Sequence, residues 1–316
     1  MNNYSHNEPD GSYHIPVLVD EVVAALRLKT ASLVADVTLG DGGYSLAILE
    51  SMQPGGRVVG LDLDREAVER AQQRLASFGD RFLPLQGNFR EIKQILASKG
   101  LERLDGLVAD LGVSRRQISD PAKGFMFTSN GPLLMKMDMD QSLSAEQVIN
   151  EYDENTLADI IWKYGEERHS RRIAAALVRQ REKGRIRDTE TLAQVVRRTV
   201  QGPHVVKSLA RVFQAFRIMT NAEIDNLRAL LPQTLELLVP GGRAVFVSYH
   251  SLEDREIKLF MSAHSRPCIC PPDLPVCVCH RRADVRIIGR SVTASADEQA
   301  LNKSSRSARM RVMEKV

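Results

Sequence analysis

A glycine-rich turn set between two apolar runs constrains this chain more than any other feature. Asp36-Val-Thr-Leu-Gly-Asp-Gly-Gly43 closes the first run, and Arg57-Val-Val-Gly-Leu-Asp-Leu-Asp64 is a second run ending in acid. Strand, glycine turn, helix and strand in that order open a doubly wound α/β sheet, whose ligands sit beyond the carboxyl ends of the strands. Glycine admits close backbone approach and positive φ, and a carboxylate about 20 residues later can accept hydrogen bonds from ribose hydroxyls. A dinucleotide site would place Gly-x-Gly-x-x-Gly at a helix start to hold pyrophosphate. Here Asp36 and Asp41 would repel phosphate, so the pattern favours a cationic nucleoside, S-adenosyl-L-methionine, over NAD. A glycine turn that binds nothing is the alternative at this stage.

The same alternation continues. Residues 33–39, 57–63, 81–86 and 104–111 read as strands, with helices predicted over 66–78 and 89–98. The next comparable strand, 243–249, follows a Pro-Gly-Gly turn and lies about 130 residues beyond the fourth, far more than a crossover requires. An insertion of helical periodicity accounts for the gap. The predicted organisation is a loose arm over 1–13, a methyltransferase-like sheet domain over 14–116 and 212–316, and a helical insertion over 117–211.

Charge separates these parts. The chain carries only +3 overall, yet between Lys163 and Arg217 there are 14 Lys or Arg against 5 Asp or Glu. Such an excess suits a polyanionic partner, the alternative being a solvated helical face. Aromatic residues make up 5% of the chain and Trp162 is its single tryptophan, so no stacking platform is visible in the sequence. No stretch has the ~20 apolar residues of a membrane span and the N-terminus is polar, which predicts a cytoplasmic protein without a membrane partner.

The topology nominates Asp62 for the ribose, Asn88 and Phe89 for the adenine, and Asp110 for the place where a methyl group would be transferred. Each has a structural alternative: a strand-end acid can cap a helix, and Phe89 can fill core. His250 is retained as a catalytic candidate because its block closes a strand over the same edge. Met135, Met137 and Met139 alternate as in a strand and read as packing between insertion and sheet, the alternative being functional contact to a base. Cys268-Ile-Cys270 and Cys277-Val-Cys279-His280 admit a structural zinc, a disulfide or reduced thiols, and no metal is assigned to the active site.

Ten blocks in one order carry a resemblance. They are His14-Ile-Pro-Val-Leu18, Gly42-Gly43, Asp62-Leu-Asp64, Gly87-Asn-Phe89, Asp110-Leu-Gly-Val-Ser114, Lys123-Gly-Phe-Met-Phe127, Gly131-Pro132, Tyr164-Gly-Glu-Glu-Arg168, Phe213-Gln-Ala-Phe-Arg217 and His250-Ser-Leu-Glu-Asp-Arg255. Together they resemble the bacterial small-subunit ribosomal RNA methyltransferase H family, also called MraW, over nearly the whole chain. The resemblance implies a Rossmann-like fold and methyl transfer from S-adenosyl-L-methionine to the exocyclic N4 of a cytidine in the decoding region of 16S rRNA. It implies cofactor contacts from Gly42, Gly43, Tyr44, Asp62, Phe89, Asp110 and Gln117, RNA recognition by the insertion, and 16S rRNA or the small ribosomal subunit as partner. A homodimer is compatible with it.

The chain departs from the family pattern at several places. Tyr44 stands where His is usual, Arg115 and Arg116 replace a Ser pair, and Leu134 replaces an Asp. Ser208-Leu-Ala-Arg211 replaces Pro-Ala-Thr-Arg, and Tyr249 replaces Phe. These leave two other classes open: a paralogue methylating another RNA or a small substrate, and a noncatalytic RNA-binding derivative.

Overall fold

A computed structural model describes residues 16–270, 276 and 278–316. The expected arm, together with His14 and Cys277, lies outside the described residues. The described residues divide into two compact units, one formed by those within 16–112 and 224–316 and the other by Val113–Glu223.

The first unit is built on a sheet with seven strands among the described residues: β1 (Leu33–Asp36), β2 (Arg57–Asp62), β3 (Phe82–Gln86), β4 (Leu104–Asp110), β5 (Leu238–Ser248), β6 (Val285–Ile287) and β7 (Arg309–Lys315). Their order is β3-β2-β1-β4-β5-β7-β6. The first five are parallel, while β7 pairs antiparallel with both β5 and β6.

Successive strand residues point to opposite faces, and here both faces are covered. Val34, Val58, Val108, Val245 and Val247 join one buried cluster, while Ala35, Val59, Leu107, Ala109, Ala244 and Phe246 join the other. A sheet covered on both sides needs apolar residues at every strand position, which is why these strands read as unbroken apolar runs. Strand order reverses between β1 and β4, so their carboxyl ends flank the crevice where such sheets bind ligands.

The second unit follows β4 in the chain. Its longer helices are Glu154–Gly165, Ser170–Lys183, Thr189–Thr199 and Val205–Asn221. Asp153 and Asp188 cap two of them through side-chain acceptors, satisfying N–H groups that helix starts leave unpaired. Leu157, Ile161, Ile173, Leu177, Leu192 and Phe216 fill its own core. At Gly165 an added Cβ would meet the Arg211 carbonyl oxygen at 2.5 Å, so glycine there lets two helices approach closely. Residue 211 falls inside the helix Val205–Asn221, and the compact unit extends to Glu223.

The methionines depart from the sequence-based expectation. Met135 is fully buried with φ 52°, and Met137 packs partly buried, both in the helical unit's own core, whereas Met139 is exposed. Residues 135–139 are irregular, with bends at 137 and 138 and a turn at 139, so their alternation does not reflect a sheet face.

Candidate active site

Five parallel strands bring their carboxyl ends to one edge, and hydrogen bonds knit the residues there together. Gly40 (φ 51°) and Gly42 (φ 79°) both need the left-handed region, which glycine enters without a Cβ penalty. Gly42 caps the helix Gly43–Ser51. This geometry carries the chain from β1 into that helix while the Gly40 N–H donates to Asp62 Oδ2 at 2.7 Å. Asp62 Oδ1 accepts from the Asp64 N–H at 2.9 Å. Each Asp62 oxygen keeps a lone pair for a further donor.

Across the crevice, the Asp110 N–H donates to Thr38 Oγ1 at 2.6 Å, tying the end of β4 to the turn after β1. Tyr249, immediately after β5, donates its hydroxyl to Asp110 Oδ1 at 2.8 Å. Asp36, fully buried, accepts from Ser45 Oγ at 2.8 Å.

Three carboxyls thus share one strand-end layer, and their protonation reflects it. Burial pushes Asp110 up to about 7; the Tyr249 hydrogen bond opposes the rise, and the Asp36 and Glu253 carboxylates add to it. Burial likewise pushes Asp36 up to about 6, opposed by Ser45 and reinforced by Asp62. Asp62 is raised by burial and held back by the Asp64 and Gly40 N–H groups. Desolvation penalises each charged form, and like charges penalise it further, so a cation placed among them would be stabilised.

The source of the negative field differs from the sequence-based expectation. Asp41 is paired with Arg70 at 2.7 Å and does not supply it, because an arginine 29 positions away neutralises it. The field comes from Asp36, Asp62 and Asp110.

Tyr44 is buried in the sheet unit's core with its hydroxyl donated to the Val17 carbonyl, which places its ring in packing. Phe89 begins a short 3-10 turn after β3 and packs partly buried on the core, with Asn88 capping that turn through its side chain. His250 caps the helix Ser251–His264: its Nδ1 accepts from the Glu253 N–H at 3.4 Å and its Nε2 lies 3.2 Å from Glu253 Oε1. Gln117 belongs to the helical unit, where its Oε1 accepts from the Ser114 N–H in a capping box. Its expected cofactor role rests on the resemblance alone. Arg115 and Arg116 lie exposed in the first turn of the same short helix, an unfavourable end for positive charge. The residue that sequence reasoning undervalued is Tyr249; the signal was its departure from the usual Phe.

A family model described as the MraW methylase family matches residues 11–316. A protein of Carboxydothermus hydrogenoformans named ribosomal RNA small subunit methyltransferase H is 42% identical over 309 residues, covering 96% of this chain and 98% of that protein. Proteins of the same name from Syntrophotalea carbinolica (43% over 307 residues, covering 96% of this chain and 98% of that protein) and Thermomicrobium roseum (40% over 311 residues, covering 98% and 95%) are also similar.

Proposed function

The chain belongs to the MraW methylase family, and from that premise we propose that it methylates the exocyclic N4 of a cytidine in the decoding region of 16S rRNA. Methylases of this family depend on S-adenosyl-L-methionine, which when bound supplies an electrophilic methyl group on a cationic sulfur. The strand-end residues fit that cofactor: Asp36, Asp62 and Asp110 favour a cation, and the open space at Gly40 leaves room for backbone approach.

One observation carries the reading: a carboxyl at the switch point of the sheet is lifted to about 7 and aimed by a tyrosine. The cytosine N4 lone pair is delocalised into the ring, so the amine must be oriented and must lose a proton as the new N–C bond forms. Asp110 accepts that proton on its carboxylate, and a proton acceptor works best when its pKa lies near the operating pH. Tyr249 fixes the carboxylate's orientation. Asp62 receives the ribose hydroxyls. His250 is assigned to helix capping, since its Nδ1 accepts a backbone N–H.

RNA recognition is assigned to the helical unit. Arg171, Arg179 and Arg198 are exposed there, and Trp162 is 58% exposed. Names of the relatives, which specify the small ribosomal subunit, support an rRNA acceptor. Transfer of labelled methyl to small subunits lacking the decoding-site N4 mark tests the proposal, with Asp62→Ala as control. Label mapped to a cytidine N4 and lost in the control is the expected result; no incorporation with cofactor binding intact points to a different acceptor.

A further inference from the structure

The loop after the helix Ser251–His264 is held at its two ends, and the apolar side chains described between them are exposed. His264 Nδ1 lies 2.8 Å from Asp284 Oδ2, the Asp284 N–H donates to the His264 carbonyl at 2.9 Å, and Arg281 donates to the Ala263 carbonyl at 2.8 Å. Between these pins the apolar side chains face outward: Ile269 is 63% exposed, Val276 69% and Val278 63%. Burial of these three side chains therefore does little to fix the described part of the segment.

Three cysteines converge there all the same. The sulfurs of Cys268, Cys270 and Cys279 all lie within 4.8 Å of one another, and none forms a disulfide. Cys279 Sγ sits 3.8 Å from Cys268 Sγ, much longer than the ~2.05 Å of a covalent S–S bond. Tetrahedral ligands at the Zn–S distance of about 2.3 Å are separated by about 3.8 Å, so this spacing matches one edge of a zinc tetrahedron. Two backbone groups also point at sulfur: the Cys270 N–H donates to Cys268 Sγ and the Val278 N–H to Cys270 Sγ, each at 3.4 Å.

We propose that Cys268, Cys270 and Cys279 form a structural zinc site that cross-links this loop, with solvent or a further side chain completing the tetrahedron. The site stands apart from methyl transfer: none of its ligands belongs to the strand-end network around Asp110. Zinc would fix the loop through ligand bonds where the exposed Ile269, Val276 and Val278 add no buried contact.

Elemental analysis of the full chain, purified with a phosphine reductant and no chelator, gives one zinc per chain. Cys268→Ser and Cys279→Ser each lose that zinc while the circular dichroism of the helices and sheet is retained. In case either variant misfolds, wild-type protein stripped of metal and titrated with Co²⁺ provides an independent reading: thiolate charge-transfer bands and the visible bands of tetrahedral cobalt appear at one equivalent. Wild-type protein holding substoichiometric zinc would overturn the proposal, as would cobalt titration without thiolate bands. A Cys268–Cys279 disulfide found by mass spectrometry under non-reducing conditions would also overturn it, as would full zinc retention by folded Cys268→Ser.

Discussion

Tyr249 Oη donates a 2.8 Å hydrogen bond to Asp110 Oδ1, joining the residue after β5 to the last residue of β4 across neighbouring parallel strands. The bond holds the Asp110 carboxyl below where burial alone would put it. Tyr249→Phe keeps the ring and removes the donor, so the Asp110 pKa rises further. The pH–rate profile of methyl transfer should then shift to higher pH by about one unit, taking a hydrogen bond to a charged group as about 1.5 kcal/mol. Activity at neutral pH falls and recovers in alkaline buffer. An unshifted profile would remove Asp110 from the proton-accepting role.

Asp110→Asn separates catalysis from stability. Turnover should drop by about 10²–10⁴, the usual contribution of a general base. Stability moves the other way. The folded pKa of about 7 lies above the ordinary carboxyl value of 3.8, so the native state binds more protons than the unfolded chain between those values and wild-type stability falls as pH rises through that window. Asn cannot ionise and escapes this penalty. Thermal melts should show the variant more stable than wild type at pH 8, by on the order of 2 kcal/mol, and the difference should shrink toward pH 4.

The three carboxyls also predict how cofactor and product are told apart. S-adenosylmethionine carries a sulfonium and S-adenosylhomocysteine does not. Asp36 and Asp110 ionise near 6 and 7, so the affinity ratio favouring the cation should grow on the order of tenfold between pH 5 and pH 8. Calorimetry with both ligands measures it. A flat ratio would mean that the methyl-bearing sulfur sits away from this layer.

Binding to single-stranded decoding-region RNA should be steeply salt-dependent. Each phosphate that an arginine neutralises on a single strand adds about 0.7 to the slope of log K against log salt, so replacing Arg171, Arg179 and Arg198 together with Gln should reduce that slope by up to about 2. Trp162, the chain's sole tryptophan, gives the readout: its fluorescence should change on adding RNA.

Glu314 on β7 binds Arg243 of β5 at 3.0 Å within the sheet unit, and Arg27 also reaches it at 3.1 Å. Its carboxyl is lowered, the Arg243 hydrogen bond being the chief cause. Glu314→Ala leaves the Arg243 guanidinium buried without this partner and should cost about 3–5 kcal/mol in urea unfolding, much more than Glu50→Ala on the exposed side of a helix. Because the folded pKa is depressed, the contribution is present above the ordinary value near 4.5 and is lost as pH falls below it.

The parallel core of the sheet is written along the chain. A strand buried on both faces must be apolar at nearly every position, so β1, β2 and β4 announced themselves, and the glycines of the first turn marked where backbone must adopt positive φ. The place of Asp62 at the end of β2 was legible for the same local reason. The edge strand β7 was not legible. Arg309-Met-Arg-Val-Met-Glu-Lys315 mixes charge with apolar residues, and its strand state depends on pairing with β5, more than 60 residues earlier in the chain. Side-chain charges were equally opaque. Asp41 looked like a ligand-facing acid until Arg70 came to rest on it, Tyr249 was a bare departure from Phe until its hydroxyl met Asp110, and the convergence of three cysteine sulfurs exists only in space. Periodicity and turn chemistry are local and written along the chain, whereas pairing, desolvation and ligand geometry arise from contacts between distant segments, which only the tertiary structure decides.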